Sequence, residues 1–163
     1  MEIKLTLALP RDQLSVPVVR RILKHSLETL GIEDETIGDI EVALTEACTN
    51  VLDHAQDAEE YEVSAGIDGE QCVIEVIDRG GGFDGALQGL QDAEHHAEGG
   101  RGIQLMRALM DRLEFSNKAT TGTVVHLEKQ LTWKEGAVIT RLGATKGGPW
   151  SHNEHLEDAP APR

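Results

Sequence analysis

Side chains that could hold a metal ion and move a proton are concentrated in one short segment. Glu46 and Asn50 are four residues apart, and His54 follows after another four, so a helix would align all three along one edge. Carboxylate and amide oxygens are ligands that suit Mg²⁺, which often takes further oxygens from phosphate groups. A carboxylate beside such a site could accept the proton of an attacking hydroxyl. A solvated polar helix edge would give the same pattern, so this segment alone decides nothing.

Asp78 introduces a glycine-rich segment that could hold a flat ligand. It directly follows an apolar run and precedes glycines at 80, 81 and 82. Glycine lets the backbone approach a ligand closely, and a carboxylate can accept a hydrogen bond from an exocyclic amine such as that of adenine. A tight turn after a strand is the alternative interpretation.

A second glycine-rich segment surrounds Arg101, with glycines at 99, 100 and 102. It opens an apolar helical pattern, and backbone N–H groups at the start of a helix can bind phosphate. A flexible hinge is the alternative here. Further along, Gly122-Thr123 begins an apolar run, where a hydroxyl could face a ligand.

The elements that would position these residues follow from the spacing of apolar side chains. Helices are predicted over about 15–30, 36–55 and 103–111, and Gly31 is a plausible stop for the first of them. That first helix is expected to bury Val19, Ile22, Leu23, Leu27 and Leu30. Strands are predicted over 3–9, 61–67, 71–77, 112–117 and 122–131.

Hairpin connections such as Asp68-Gly69 predict a mainly antiparallel sheet. Helices covering one face would give an α+β fold, a two-layer sandwich. The domain is expected to span 1–131. Residues 132–163 are expected to form a flexible tail, since they contain few clustered apolar residues and end in an Ala-Pro-Ala-Pro run.

The composition excludes several classes of protein. The formal net charge of -14 would repel phosphate backbones, so no direct binding to nucleic acid is expected. Cys48 and Cys72 have no metal-ligand spacing and lie in apolar patterns, which predicts two small core residues. The first residues lack the apolar region of a signal peptide and no apolar run is long enough to span a membrane, so a cytoplasmic protein is expected.

The order of these motifs along residues 1–131 resembles that of the GHKL ATPase superfamily, which has a Bergerat-type nucleotide-binding fold. Within it, the segment 46–55 (Glu-Ala-Cys-Thr-Asn-Val-Leu-Asp-His-Ala) is most similar to the anti-sigma-factor serine kinases. The resemblance implies ATP and Mg²⁺ as cofactors. It implies that Glu46 is the general base and that Asn50 holds the Mg²⁺.

The resemblance also implies roles around the nucleotide. Asp78 would read the adenine amine, and Gly80 and Gly82 would shape the adenine pocket. Gly100 and Gly102 would wrap the phosphates. The remaining implied positions are Thr123 at the adenine end, a mobile lid over 84–99, and Arg101 inside the second glycine box.

By the same resemblance, the protein would bind a sigma factor, phosphorylate a STAS-type anti-anti-sigma protein on serine, and form a homodimer. Arg20 on the first helix is a candidate partner contact, or else part of a solvated helix face. Some kinases of the family carry an Arg where this chain has Glu98 and Gly99. A nucleotide-gated binding protein without kinase activity is therefore the alternative, and an α+β domain that binds no nucleotide is the third possibility.

Overall fold

The computed structural model describes residues 2–54, 59–78, 99–118 and 122–137, which form three helices and five strands. The helices are α1 (Ser15–Leu30), α2 (Asp34–His54) and α3 (Gly99–Leu109). The strands are β1 (Ile3–Pro10), β2 (Glu60–Ile67), β3 (Gln71–Asp78), β4 (Arg112–Lys118) and β5 (Gly122–Gln130).

The strands form one sheet in the order β1-β2-β3-β5-β4, and every neighbouring pair is antiparallel. Residues along β2 and β3 alternate between buried and partly exposed, because successive side chains of a strand point to opposite faces. The buried face packs against α2, which lies over β3 and β5 and between α1 and α3. The predicted α+β sandwich with an antiparallel sheet is confirmed.

The core is aliphatic, as expected for a chain in which aromatic residues make up 3%. Cys48 and Cys72 are both fully buried and carry free thiols, which confirms them as small core residues. Within the described ranges, none of the helices combines the length and apolar character needed to cross a membrane.

The prediction for Ile22 is wrong. Val19, Leu23, Leu27 and Leu30 are buried on α1 as expected, but the Ile22 side chain is 38% exposed. Each residue advances about 100° around a helix, so Ile22 falls beside the stripe that contains Leu23 rather than on it. That stripe packs mainly against α2, and Ile22 lies at its margin.

α3 begins at Gly99, four residues before the predicted start, so its glycines lie inside the first turn. Glycine disfavours helix by about 1 kcal/mol relative to Ala, which is why the pattern predicted a later start. Packing of Ile103, Met106 and Met110 into the core outweighs that preference.

The chain after β5 packs against the start of α2. Gly31 ends α1 in the left-handed conformation with φ 91°, and its carbonyl accepts a hydrogen bond from the Lys134 amide. Ile32 and Trp133 form an isolated bridge, and Ala137 is buried. The packed chain therefore continues six residues past 131. Residues from 138 onward lie outside the described residues, so the flexible tail stays a prediction.

Candidate functional site

α2 carries Glu46 and Asn50 along an edge that borders the core. The apolar stripe that the sequence predicts on this helix is fully or almost fully buried: Ile40, Leu44, Ala47 and Val51. Glu46 and Asn50 lie one residue before Ala47 and Val51 and are partly exposed. The helix is therefore anchored by one side and presents a carboxylate and an amide at the margin of the buried surface.

Gly102 brings the first turn of α3 against this edge. A Cβ atom at Gly102 would lie 2.5 Å from Oε2 of Glu46 and 4.0 Å from Oδ1 of Asn50. The first distance is shorter than real Cβ contacts, so the observed approach requires glycine at this position. One of the two predicted glycine boxes thus lies directly over the Glu46 and Asn50 oxygens.

Asp78 ends β3 at the same side of the molecule. Asp78 is 5% exposed, and Thr123 on β5 is 7% exposed. Ile77 pairs with Val124 across the two antiparallel strands, so Asp78 and Thr123 are the next residues on adjacent strands. The sheet therefore brings the third and fourth sequence motifs side by side.

Arg11, which sequence reasoning missed, links Asp78 to the end of α2. Its Nη2 donates to the carbonyl oxygens of Val51 at 2.7 Å and Leu52 at 3.1 Å. Its Nη1 lies 3.8 Å from Oδ1 of Asp78. One guanidinium thus contacts both the helical turn after Asn50 and the Asp78 carboxylate, which places those two residues on the same side of the protein.

A nucleotide with Mg²⁺ fits the residues that meet here. Nδ2 of Asn50 is buried and makes no hydrogen bond to the described part of the chain, so the amide has bonding capacity left for a ligand. A carboxylate and an amide oxygen match the preference of Mg²⁺ for hard oxygen ligands. Described residues contain no group of three or more His, Cys, Asp or Glu that could hold a metal alone. An ion that takes ligands from bound phosphate does not require such a group.

Arg20 and Glu46 share a surface groove. The groove has a volume of about 380 Å³ and is lined by Arg20, Gly38, Glu41, Val42, Thr45 and Glu46. The Arg20 side chain is 45% exposed, and its Nε lies 4.0 Å from Oε1 of Glu41. A protein segment bound in this groove would therefore contact the candidate partner residue and the candidate base together.

Several predicted positions lie outside the described residues. They are Gly80, Gly82, residues 84–98 of the predicted lid and the side chain of His54. Within the second glycine box, Gly100 is buried and Arg101 is exposed on the first turn of α3.

A buried polar cluster joins α1, α2 and β2. The hydroxyls of Tyr61 and Ser15 are hydrogen-bonded at 2.7 Å, and Cys48 is hydrogen-bonded to Tyr61. Burial raises the pKa of the Cys48 thiol to about 12, although the bond to Tyr61 lowers it in part. Burial likewise raises the pKa of Tyr61 to about 12. Both groups are therefore protonated at neutral pH, and their role is structural.

Comparison with known proteins agrees with this arrangement. The family model described as histidine kinase-like ATPase domain matches residues 9–129. "Serine-protein kinase RsbW" of Bacillus pumilus is 34% identical over 134 residues, covering 71% of this chain and 78% of that protein. "Serine-protein kinase RsbW" of Halalkalibacterium halodurans is 33% identical over 134 residues, covering 77% and 82%.

A solved structure shows the same fold. The crystal structure of the RsbU and RsbW domains of Rv1364c from Mycobacterium tuberculosis superposes with a TM-score of 0.61 at 22% sequence identity. The match covers 79% of this chain and 32% of the mycobacterial chain, so this protein corresponds to about a third of that one. With the family model matching most of the chain, the protein belongs to the family of histidine kinase-like ATPase domains.

Proposed function

We propose that this protein is an ATP-dependent serine protein kinase that also acts as an anti-sigma factor. The observation that carries the proposal is the approach of Gly102 to Glu46 and Asn50. It brings the start of α3, where backbone N–H groups can bind phosphate, next to a carboxylate and an amide. The relatives named serine-protein kinase, at 34% and 33% identity, support the choice of reaction.

In this proposal each group has one task. Asn50 would hold Mg²⁺ through its side-chain oxygen, and Asp78 would accept a hydrogen bond from the adenine amine. Bound Mg²⁺-ATP would supply the phosphoryl group and the positive charge that offsets its transfer. Glu46 would take the proton of the substrate serine as the serine oxygen attacks the γ-phosphorus, while the bond from that phosphorus to the β–γ bridging oxygen breaks and ADP leaves. Gly80, Gly82, Gly100, Arg101, Gly102 and Thr123 complete the proposed nucleotide contacts.

The central test is phosphorylation of an anti-anti-sigma protein by the Glu46→Gln variant. A neutral amide of the same size cannot accept the serine proton, so the rate should fall about 100- to 10,000-fold while ATP affinity is retained. Glu35→Gln is the matched control, because Glu35 is an exposed carboxylate near the start of the same helix. Wild-type rates from Glu46→Gln would remove Glu46 from the reaction.

The metal role of Asn50 is tested by calorimetry. Asn50→Ala should weaken ATP binding in the presence of Mg²⁺ and make affinity insensitive to added Mg²⁺. Identical affinities of the variant and the wild type in Mg²⁺ would contradict the assignment.

A nucleotide-gated binding protein without kinase activity is the second candidate. It is favoured by Glu98 and Gly99, which stand where some kinases of the family have an Arg. Incubation with γ-labelled ATP and the anti-anti-sigma protein separates the two functions. Label on serine supports the kinase, whereas an ATP-dependent complex without label supports the binding protein.

The proposed partners are a sigma factor and a STAS-type anti-anti-sigma protein, met in the cytoplasm by a homodimer of this chain. Arg20 lies in the groove that also contains Glu46, which supports a role in docking the protein substrate. Arg20→Ala should raise KM for the anti-anti-sigma protein and leave ATP affinity unchanged. Arg112→Ala, on the exposed surface of β4, is the control. Sedimentation equilibrium measures the dimer.

A further inference from the structure

Arg11 lies between the end of α2 and the Asp78 carboxylate, although it belongs to none of the sequence motifs. It follows β1 directly, and its amide donates to the Glu59 carbonyl at 2.9 Å, which fixes its backbone beside the start of β2. The strand order places β2 between β1 and β3, and Tyr61 of β2 pairs with Asp78 of β3. The Arg11 side chain therefore reaches across the start of β2 toward Asp78.

The side chains of Arg11 and Asp78 are both largely buried. Their side chains are 13% and 7% exposed. Removing an ionised carboxylate from water costs several kcal/mol unless a nearby positive charge compensates for it. Arg11 supplies such a charge, because its guanidinium forms an ion pair with Asp78.

The geometry of this pair differs from a hydrogen-bonded salt bridge. Nη1 of Arg11 and Oδ1 of Asp78 are 3.8 Å apart, which is beyond hydrogen-bonding distance. Nη2 of Arg11 is occupied by the carbonyls of Val51 and Leu52, two of the last four carbonyls of α2, which lack partners inside the helix. These bonds hold the guanidinium at ion-pair distance from Asp78, so Arg11 supplies charge without occupying an acceptor position of the carboxylate.

We infer that Arg11 is the positioning residue for base recognition: it holds the Asp78 carboxylate as an acceptor for the exocyclic amine of adenine. This inference rests on the proposed ATP binding. It also accounts for the buried Nη1 atom, which makes no hydrogen bond to the described part of the chain, because a full hydrogen bond to Asp78 would compete with the adenine.

The test compares ATP with purine riboside 5′-triphosphate, which lacks the 6-amino group and is otherwise the same ligand. The wild-type protein should bind ATP at least about 10-fold more tightly, because a hydrogen bond to a charged group is lost in the analogue. Arg11→Met keeps most of the side-chain volume and removes the charge. Its ATP affinity should fall about 10- to 100-fold, with little change for the analogue, so the selectivity ratio approaches one.

Arg112→Met is the matched control, because it makes the same chemical change at an exposed position on β4. Its selectivity should equal that of the wild type. In the Asp78→Asn background, Arg11→Met should have little further effect on ATP affinity, because the carboxylate that it positions is already absent.

Equal weakening of both nucleotides by Arg11→Met, with the ratio unchanged, would show a merely structural role and overturn the inference. An unaltered affinity for both nucleotides would overturn it as well. If Arg11→Met does not fold, Arg11→Lys replaces it. The charge of an ammonium sits on one nitrogen, which cannot reproduce the separate positions of Nη2 at the two carbonyls and Nη1 at Asp78, so selectivity should still fall.

Failure of the proposed function gives a different result. If the wild-type protein binds neither nucleotide, the ATP site itself is refuted, and the inference with it. If the wild-type protein binds ATP selectively and Arg11→Met does so equally well, ATP binding stands and only the role of Arg11 is wrong.

Discussion

Gly102→Ala is the substitution whose effect can be worked out most closely from the structure. The added Cβ would lie 2.5 Å from Oε2 of Glu46, whereas ordinary van der Waals contact begins at 3.4 Å. One of the two groups must therefore move by about 0.9 Å. Oε2 is the tip of a flexible side chain and α3 is fixed by its core residues, so we expect Glu46 to move.

The expected result is a loss of rate without a loss of stability. A catalytic group displaced by about 1 Å can slow a reaction on the order of 100-fold, or about 2.7 kcal/mol in the activation barrier. Ala favours helix over Gly by about 0.5–1 kcal/mol, and an off-rotamer Glu46 costs about 0.5–1.5 kcal/mol. The two terms nearly cancel, so the free energy of unfolding should change by less than about 1 kcal/mol.

The assay is phosphorylation of the anti-anti-sigma protein at saturating ATP, with urea unfolding measured on the same samples. Gly38→Ala is the control for stability, because it adds the same methyl group to α2 where a Cβ would have no described atom within 4 Å. It should show the gain in helix stability without the opposing displacement of Glu46.

The Glu46→Gln background shows whether the loss arises through the carboxylate. There the proposed base is already absent, so Gly102→Ala should slow the reaction little further. A wild-type rate for Gly102→Ala, or a 100-fold loss that persists in the Glu46→Gln background, would refute this reasoning.

The remaining predictions concern stability. Burial raises the pKa of the Cys48 and Cys72 thiols to about 12, from 9.0. Between pH 9 and 12 the unfolded chain therefore binds fewer protons than the folded chain. As the pH rises through this range, the free energy of unfolding should fall by up to about 1.4 kcal/mol per pH unit for each thiol. Urea unfolding under reducing conditions at pH 8, 9 and 10 measures this slope. The variant with both Cys48→Ala and Cys72→Ala should lose most of the slope, and an equal slope in that variant would contradict the assignment to the thiols. Tyr61→Phe removes a buried hydrogen bond and should lower the free energy of unfolding by about 1–2 kcal/mol, measured in urea at pH 7; no change would show that the bond contributes nothing. Truncation after Ala137 should leave the melting temperature unchanged, whereas truncation after 131 removes the contacts to α1 and α2 and should lower it; equal melting temperatures would mean that these contacts are dispensable.

Much of the fold could be predicted because its strands alternate and its hairpins are short. β2 and β3 bury every second residue, and Asp68 between them accepts hydrogen bonds from the Glu70 and Gln71 amides, which also lower its pKa. The positions of Glu46 and Asn50 along one helix edge follow from their spacing alone.

Arg11 could not be found from the sequence, because its proposed role depends on strand order. The sequence shows a cation after one strand and a carboxylate at the end of another, but not that a single strand separates them. The early start of α3 was missed for a related reason, since packing of Ile103 and Met106 decides it against local propensity.

Trp133 gives this protein an optical reporter remote from the proposed nucleotide site. Its indole N–H donates to the Gly69 carbonyl at 3.2 Å, at the opposite end of β3 from Asp78. The eight residues of β3 span on the order of 25 Å, which is too far for an adenine bound at Asp78 to quench the indole by contact. In a Trp150→Phe variant, a change in emission on adding ATP would therefore record a rearrangement carried along the sheet to its far end.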